Sequence, residues 1–216
     1  MKKISIAILC GGNSSRFRSA LSGQGKSKRE EKGDKLFYSI AGSPFYKVNY
    51  KKFDHSSADV FLQGMKVDSL RSYDDMVKNK GPLGGIYSAL QNAKYEHVFI
   101  VGADMPLVES TLLKEFNRYL DHPLVVPRWD SGYIEPLCSI YSKSILPTIK
   151  EMLERDVLKV SELCERIENV LYLSIETLIE TKKITANCFT NINTKEDLKK
   201  MESKYIDRDR DKNKDK

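Results

Sequence analysis

The chain has 216 residues, of which 40% are hydrophobic and 31% are charged, and its formal net charge is +6. This length fits one domain with a sizeable core, and the composition is that of a soluble globular protein. No apolar run approaches the ~20 residues that a membrane-spanning helix needs, so we expect no membrane partner.

Apolar runs alternate with amphipathic segments along the chain, which predicts alternating strands and helices. The first apolar run is too short for a signal peptide, so it is interpreted as a strand. Strands are predicted at residues 4–9, 59–64, 97–106, 123–129, 137–141 and 169–175. Helices are predicted at residues 44–53, 110–120 (N-cap Ser110), 144–154, 161–167 and 194–206 (N-cap Thr194), and a glycine-rich turn feeding a helix at 81–93.

These predicted strands are continuous apolar runs, which is typical of a mostly parallel sheet covered by helices on both faces. The predicted fold is therefore α/β and Rossmann-like. We predict one domain over residues 1–206, with a basic loop insertion at about 17–33 and a charged, disordered tail at 207–216.

The four cysteines, Cys10, Cys138, Cys164 and Cys188, are too far apart in sequence to form a CxxC site. Three of them lie in apolar stretches, as small core residues do. We expect reduced thiols and a cytoplasmic protein.

In parallel sheets, ligands bind beyond the carboxyl ends of the strands. Two informative stretches fall there: the double glycine Gly11-Gly12 after the first strand, and Asp104 after the 97–106 strand. Paired glycines let the backbone approach a ligand closely. A carboxylate that ends a buried strand is either a turn residue or a metal ligand. Together the two stretches favour a Mg-nucleotide site.

The basic balance of the chain is consistent with solubility or with an anionic ligand. No RNA-recognition motif or zinc finger is present, so nucleotide phosphates are preferred over nucleic acid. Residues 20–27, ALSGQGKS, formally fit a loose P-loop. They neither leave a strand nor open a helix with an apolar face, so Lys26 is interpreted as a solvated loop lysine.

Four motifs in order resemble those of the molybdenum cofactor guanylyltransferases. The segments LCGGNSSRF…GDK, GPLGGI (81–86), GADMPLV (102–108) and NINTKEDL (191–198) resemble the family's L-A-G-G-x-S-x-R-M-G-x-D-K, G-P-L-A-G-I, C-D-M-P-x-L/I and N-I-N-T-x-E-D-L. This resemblance implies a fold of the nucleotide-diphospho-sugar transferase type. It also implies Mg²⁺-dependent transfer of GMP from GTP to the terminal phosphate of molybdopterin bearing molybdenum.

The resemblance also implies the site residues and the partners. Nucleotide-lining positions match Leu9, Cys10, Gly11, Gly12 and Asp75, with Asp74 as a one-residue alternative to Asp75; catalytic positions match Arg16, Lys35 and Asp104, and Asp104 would bind the metal. GTP and the molybdopterin cofactor would be the small-molecule substrates, and proteins that handle or receive the cofactor would be partners.

The sequence departs from the family pattern in two places. Cys10 replaces the usual alanine, which is a small-for-small change. Arg16 and Lys35 are separated by the basic insertion, so Lys26 or Lys28 could take the place of the motif lysine. Lys35 is preferred, because Leu36-Phe37 resume an apolar segment directly after it.

Three alternatives remain open at the level of sequence. The superfamily also contains cytidylyltransferases and sugar-phosphate nucleotidylyltransferases, although the double glycine and GPLGGI are associated with guanine. A module that carries nucleotide or cofactor without turnover would need the same binding residues. Trp129 and the tyrosines are interpreted as packing residues.

Overall fold

The computed structural model describes residues 3–10, 39–40, 43–57, 59–192 and 197. Within these ranges, nine strands and six α-helices follow one another along the chain, with two short 3₁₀ turns at Asn117–Tyr119 and Lys143–Ile145. The strands are β1 Ile4–Leu9, β2 Ser39–Ile40, β3 Ser43–Pro44, β4 Val60–Gln63, β5 Ser72–Tyr73, β6 His97–Gly102, β7 Leu124–Arg128, β8 Cys138–Ser142 and β9 Val170–Ser174. The helices are α1 Phe45–Asp54, α2 Gly81–Asn92, α3 Thr111–Phe116, α4 Leu146–Glu154, α5 Val160–Arg166 and α6 Ile175–Glu180.

Seven strands form one sheet in the order β5-β4-β1-β6-β8-β7-β9, and β2 and β3 form a separate antiparallel pair. Strands β5, β4, β1 and β6 run parallel, as do β7 and β9, whereas β8 is antiparallel to both β6 and β7. Because β8 is antiparallel to both of its neighbours, β7 runs in the same direction as β6. Strand β9 is parallel to β7 and so shares the direction of β1 and β6. The prediction of a mostly parallel sheet is confirmed.

Each face of the sheet supports its own core, because side chains alternate between the faces along a strand. On one face, Ile6 and Ile8 of β1 pack in a cluster with Phe53 of α1 and Phe116 of α3. On the other face, Leu9 packs in a second cluster that includes residues of α2, α4 and α5. Helices on both faces, as predicted, leave the ends of the strands as the place for a ligand.

Helix α2 begins directly at the glycine-rich segment, so the prediction of a turn before the helix was wrong in this detail. Gly81 opens the helix with a φ of +57°, a value that suits glycine, and Pro82 lies in the first turn. Gly84 and Gly85 are buried within the helix. A β-carbon at Gly84 would lie 2.9 Å from Lys80 Cβ and 3.1 Å from the Val77 carbonyl oxygen, so glycine at this position lets α2 pack closely on the segment before it.

Two other predictions need correction. Ser110 does precede helix α3, but it has helical dihedral angles and its hydroxyl makes no capping hydrogen bond. The helix also ends earlier than predicted, at Phe116, and continues only as a 3₁₀ turn. The short elements β5 and α6 were not predicted, because two and six residues carry too little periodicity.

The prediction of reduced thiols is confirmed, since all four cysteines are free, and all four are buried although only three were expected among core residues. Burial raises the pKa of Cys164 to about 11 and that of Cys188 to about 12. Within the described ranges, no helix is long and apolar enough to cross a membrane. The predicted helix 194–206 lies outside the described residues apart from Asp197, as does the predicted tail.

Candidate active site

Asp104 lies on a turn that leaves the carboxyl end of β6, beside the end of β1. The Ala103 amide donates to the Leu9 carbonyl at 2.9 Å, and the Met105 amide donates to the Gly102 carbonyl at 3.1 Å. A β-carbon added to Gly102 would lie 2.7 Å from Asp104 Oδ1. The position of the Asp104 carboxylate thus depends on glycine at residue 102, and the turn leaves this side chain half-buried at the sheet edge.

Two side chains of helix α1 hold the same turn by hydrogen bonds to its backbone. The buried Asn49 donates from Nδ2 to the carbonyls of Gly102 and Met105, at 3.2 and 3.4 Å. Lys52 Nζ donates to the carbonyls of Pro106 and Val108, at 2.6 and 2.7 Å. These four contacts fix the backbone on both sides of Asp104. Burial lowers the pKa of Lys52 to about 8.

The closing motif of the sequence also meets this turn. The Ile192 amide donates to the Asp104 carbonyl at 2.9 Å. Two motifs that are far apart in the chain, GADMPLV and NINTKEDL, are therefore joined at the residue predicted to bind the metal.

Asp75 lies on the other side of β1, after β5. Gln63, the buried last residue of β4, donates from Nε2 to Asp75 Oδ1 at 3.0 Å and to the Asp74 carbonyl at 3.1 Å. Asn92 of α2 donates in turn to Gln63 Oε1 at 3.0 Å. The Asp75 side chain is held by this chain of amides, whereas Asp74 is exposed and offers only its carbonyl to it.

The first turns of α2 come close to both Leu9 and Asp75. A β-carbon added to Gly85 would lie 3.6 Å from Leu9 Cδ1 and 4.0 Å from Asp75 Oδ1. The end of β1, the start of α2 and the Asp75 carboxylate thus surround one place on the sheet edge. Gly85 faces Leu9 and Asp75 without a side chain, at a distance that an added β-carbon would reduce to ordinary van der Waals contact.

Cys10 lies between the two carboxylates. Its amide donates to the Gln63 carbonyl at 2.8 Å, and its thiol contacts the Ile8 carbonyl at 3.6 Å. Burial raises the pKa of the Cys10 thiol, and the charges of Asp75 and Asp104 raise it further. A thiol in this setting stays protonated and fills space rather than acting as a nucleophile.

Of the predicted site residues, the structure therefore places Leu9, Cys10, Asp75 and Asp104 along one edge of the sheet, with the end of β1 between the two carboxylates. Gly11, Gly12, Arg16 and Lys35, with the alternatives Lys26 and Lys28, lie outside the described residues. In the part of the chain that is described, no cluster of three His, Cys, Asp or Glu side chains could hold a metal ion.

Sequence reasoning missed Asn49, Lys52 and Gln63. Each of them positions a site residue without belonging to a motif. Gln63 had a detectable signal, because it is a polar residue that ends an apolar strand.

This chain is an α/β protein of the nucleotide-diphospho-sugar transferase fold, with a mostly parallel sheet and one carboxylate beyond each of β5 and β6. A protein from Archaeoglobus fulgidus described as molybdopterin-guanine dinucleotide biosynthesis protein A has the same fold. Its TM-score is 0.74 at 21% identity, over 94% of this chain and all of that one. The 2-C-methyl-D-erythritol 4-phosphate cytidylyltransferase of Thermus thermophilus shares the fold at a TM-score of 0.62 and 13% identity, over 94% of this chain and 98% of that one.

The family is settled by sequence. Residues 6–170 match the family model for the MobA-like NTP transferase domain, and the chain belongs to that family. A probable molybdenum cofactor guanylyltransferase of Flavobacterium johnsoniae is 31% identical over 207 residues, which are 92% of this chain and 96% of the relative. One from Pyrococcus furiosus is 36% identical over 171 residues, which are 76% and 74% of the two chains. The resemblance found in the sequence is confirmed.

Proposed function

We propose that this protein transfers GMP from GTP to the terminal phosphate of molybdopterin bearing molybdenum, and releases pyrophosphate. The family and the names of its relatives support this proposal. The observation that carries it is the convergence of Leu9, Asp75 and Gly85 on one side of the β1 end and Asp104 on the other. A nucleotide can lie across β1 with its base toward α2 and its phosphates toward β6.

On this proposal, the base lies against the backbone of α2 near Gly85. Asp75, held by Gln63, accepts hydrogen bonds from the nucleoside. A site built from fixed acceptors and backbone groups discriminates strongly between bases, because the wrong base leaves buried polar groups unpaired. This arrangement favours Asp75 over Asp74 as the nucleotide-binding aspartate.

Asp104 is the proposed metal ligand. Mg²⁺ keeps several waters and is held by one or two protein carboxylates together with substrate phosphates, so a single half-buried aspartate fits it. Bound there, the ion would neutralise charge on the α-phosphate and the leaving pyrophosphate. Asn49 and Lys52 prevent the turn from moving when the triphosphate arrives, because they hold the carbonyls around Asp104.

The transfer itself forms one bond and breaks one bond. An oxygen of the terminal phosphate of molybdopterin attacks the α-phosphorus of GTP, and the bond from that phosphorus to the bridging oxygen breaks. The electron pair leaves with pyrophosphate. The attacking phosphate is already ionised, so no protein base is required. We propose Lys35 and Arg16 as the cations that stabilise the phosphates.

The test is an assay of pyrophosphate release with molybdenum-bearing molybdopterin, Mg²⁺ and one of GTP, CTP or ATP. We expect GTP to have the highest kcat/KM. Asp104→Asn should lose on the order of 10²-fold or more in kcat, as when one electrostatic group is removed from an active site. Asp121→Asn, which changes an exposed aspartate, should keep the kcat of the wild type.

Two results would contradict the proposal in different ways. Comparable kcat/KM for CTP and GTP would place the protein with the cytidylyltransferases. Nucleotide binding without any pyrophosphate release would make it a carrier. The cytoplasmic location and the contact with cofactor-handling proteins remain predictions of the family resemblance.

A further inference from the structure

A cavity opens at the same edge of the sheet as the Asp104 turn, at the carboxyl ends of β7 and β9. Its volume is about 300 Å³, at the lower end of the range for small-molecule sites. None of its residues takes part in the nucleotide site described above. The residues that line it are Arg128, Trp129, Asp130, Gly132, Tyr172 and Ser174.

The wall formed by Trp129 is rigid. Its indole Nε1 donates to Glu135 Oε1 at 2.9 Å, and its ring packs edge-on against Phe189 with centroids 6.2 Å apart. The backbone around it closes a tight loop, since Trp129 N donates to Tyr133 O and Gly132 N donates to Trp129 O, both at 2.8 Å. A ligand would therefore meet a surface that is already ordered.

The opposite wall of the cavity is formed by two stacked planar groups. The Arg128 guanidinium lies 4.5 Å from the centroid of the Tyr172 ring. A guanidinium is planar and stacks on aromatic rings, so a flat heterocycle can continue this stack. Arg128 and Trp129 follow one another at the end of β7, which places both planar groups at the mouth of one cavity.

The cavity also offers an acceptor, the exposed carboxylate of Asp130, which lines it. The backbone at this residue is held in place, because the Asp130 amide donates to Glu176 Oε1 at 3.1 Å. A carboxylate accepts hydrogen bonds and repels a phosphate, so this wall favours a ligand edge that carries N–H groups.

The sheet sets the distance from this cavity to Asp104. From β6 to β7 there are two strand spacings, and from β6 to β9 three, which is ~10 to 14 Å at about 4.8 Å per spacing. The cavity lies on the opposite side of β6 from Asp75 and α2. The segment from Phe189, which packs on Trp129, to Ile192, which binds the Asp104 carbonyl, connects the two places.

We propose that this cavity binds the pterin end of the acceptor substrate, while its phosphate arm reaches the Asp104 turn. The inference rests on the proposed function. The aminopyrimidinone edge of a pterin carries adjacent N–H donors, which suit Asp130, and its fused rings suit the flat walls at Arg128 and Trp129. The base of GTP, the Asp104 turn and the pterin then lie in one line along the carboxyl edge of the sheet, across the strands, with the reacting phosphates in the middle.

The first test needs no turnover. Trp129 is the only tryptophan in the chain, so its fluorescence reports directly on the cavity. Titration with free pterin should quench it in a saturable way. Arg128→Ala and Asp130→Ala should weaken this binding at least tenfold, whereas Arg155→Ala, at the exposed end of α4, should leave it unchanged. Quenching that does not saturate, or that is the same in all variants, would overturn the inference.

The second test separates the acceptor from the nucleotide, because guanine presents the same kind of edge as a pterin. In the transfer assay, Arg128→Ala and Asp130→Ala should raise KM for molybdenum-bearing molybdopterin at least tenfold and leave KM for GTP unchanged. A raised KM for GTP instead would show that the cavity holds guanine. Saturable pterin binding by a wild-type protein that transfers no GMP would refute the proposed function and leave the cavity assignment in place.

Discussion

The Asp104 carboxylate owes its position to the absence of a side chain at Gly102. A β-carbon at this glycine would come within 2.7 Å of Asp104 Oδ1 and 3.4 Å of Met105 Sδ. The oxygen belongs to a short side chain, so it would rotate away rather than unfold the turn. The two residues therefore work as a pair, in which one supplies the charge and the other leaves room for it.

Gly102→Ala should for this reason impair catalysis more than folding. We expect the Mg²⁺ concentration for half-maximal pyrophosphate release to rise about tenfold, since a displacement of the ligand by a few tenths of an ångström weakens the metal site. Saturating Mg²⁺ should restore part of the rate. An unchanged Mg²⁺ dependence in a correctly folded variant would show that Asp104 does not hold the metal.

Gly85 offers the opposite case at the nucleotide side. An added β-carbon would make only ordinary contacts with Leu9 and Asp75, at 3.6 Å and beyond. We expect Gly85→Ala to keep or raise the melting temperature without nucleotide, because alanine is favoured over glycine within a helix by up to about 1 kcal/mol. The dissociation constant for GTP should nevertheless rise, since the methyl group occupies the space against the base. Equal affinity for GTP would place the base elsewhere.

Helix α1 supports the Asp104 turn through two polar residues of one face, Asn49 and Lys52. Asn49 and Lys52 both direct nitrogen donors at carbonyls between Gly102 and Val108. Buried carbonyls on an irregular segment need such partners, because no neighbouring strand supplies them. The helix therefore stabilises the turn by satisfying its backbone.

This support should make stability depend on pH. Burial lowers the pKa of Lys52 from 10.5 to about 8 in the folded protein. Between these values the unfolded chain binds more protons, so folding becomes more favourable as pH rises and loses this contribution as pH falls toward 8. The free energy of unfolding of the wild type minus that of Lys52→Met should increase from about pH 8 to about pH 10.5. Urea denaturation at several pH values measures it.

The exposed neighbour provides the control for that measurement. Lys51→Met changes a lysine of the same helix that faces solvent. The free energy of unfolding of the wild type minus that of Lys51→Met should stay constant over the same pH range. The charge of Lys52 lowers the pKa of Cys138 and Cys188, but burial keeps both thiols protonated over this pH range with or without that charge, so their contribution cancels. A flat difference for Lys52 as well would mean that its ammonium keeps its usual pKa.

The longer elements could be predicted from the sequence, whereas the roles of the motif residues stay predictions. Strand β1 was predicted with its observed bounds, and Asp104 was expected at the carboxyl edge of the sheet, where it lies. The reversed direction of β8 could not be predicted, because a buried strand reads as the same apolar run in either direction. Asn49 and Lys52 could not be predicted either, since their partners are backbone atoms more than fifty residues away.

At the scale of the whole molecule, the reversed strand β8 separates two groups of parallel strands. Strands β5, β4, β1 and β6 carry the proposed nucleotide site, and β7 and β9 carry the cavity at Arg128. Because β8 is antiparallel to the strand on each side of it, the two groups run in the same direction and their carboxyl ends lie at one edge of the sheet. One continuous sheet can thus hold two substrates end to end.

Binding of nucleotide should stabilise this whole sheet. A ligand at about 100 times its dissociation constant adds about 2.7 kcal/mol. For a domain of this size, that corresponds to a rise in melting temperature of about 5–10 °C. We expect GTP with Mg²⁺ to give this rise, CTP and ATP to give less, and EDTA to remove most of it. An equal shift with and without EDTA would argue against a metal-dependent nucleotide site.

The hydrogen bond from Ile192 to Asp104 also has a consequence for biosynthesis. On the ribosome, the Asp104 turn emerges long before Ile192 is made, so a nascent chain can assemble β1 and β6 while the turn still lacks this partner. Catalytic competence then arrives only with the last part of the domain. A chain ended after Thr190 should fold its sheet but transfer GMP far more slowly than one ended after Asp197. Incomplete translation products would accordingly not consume GTP.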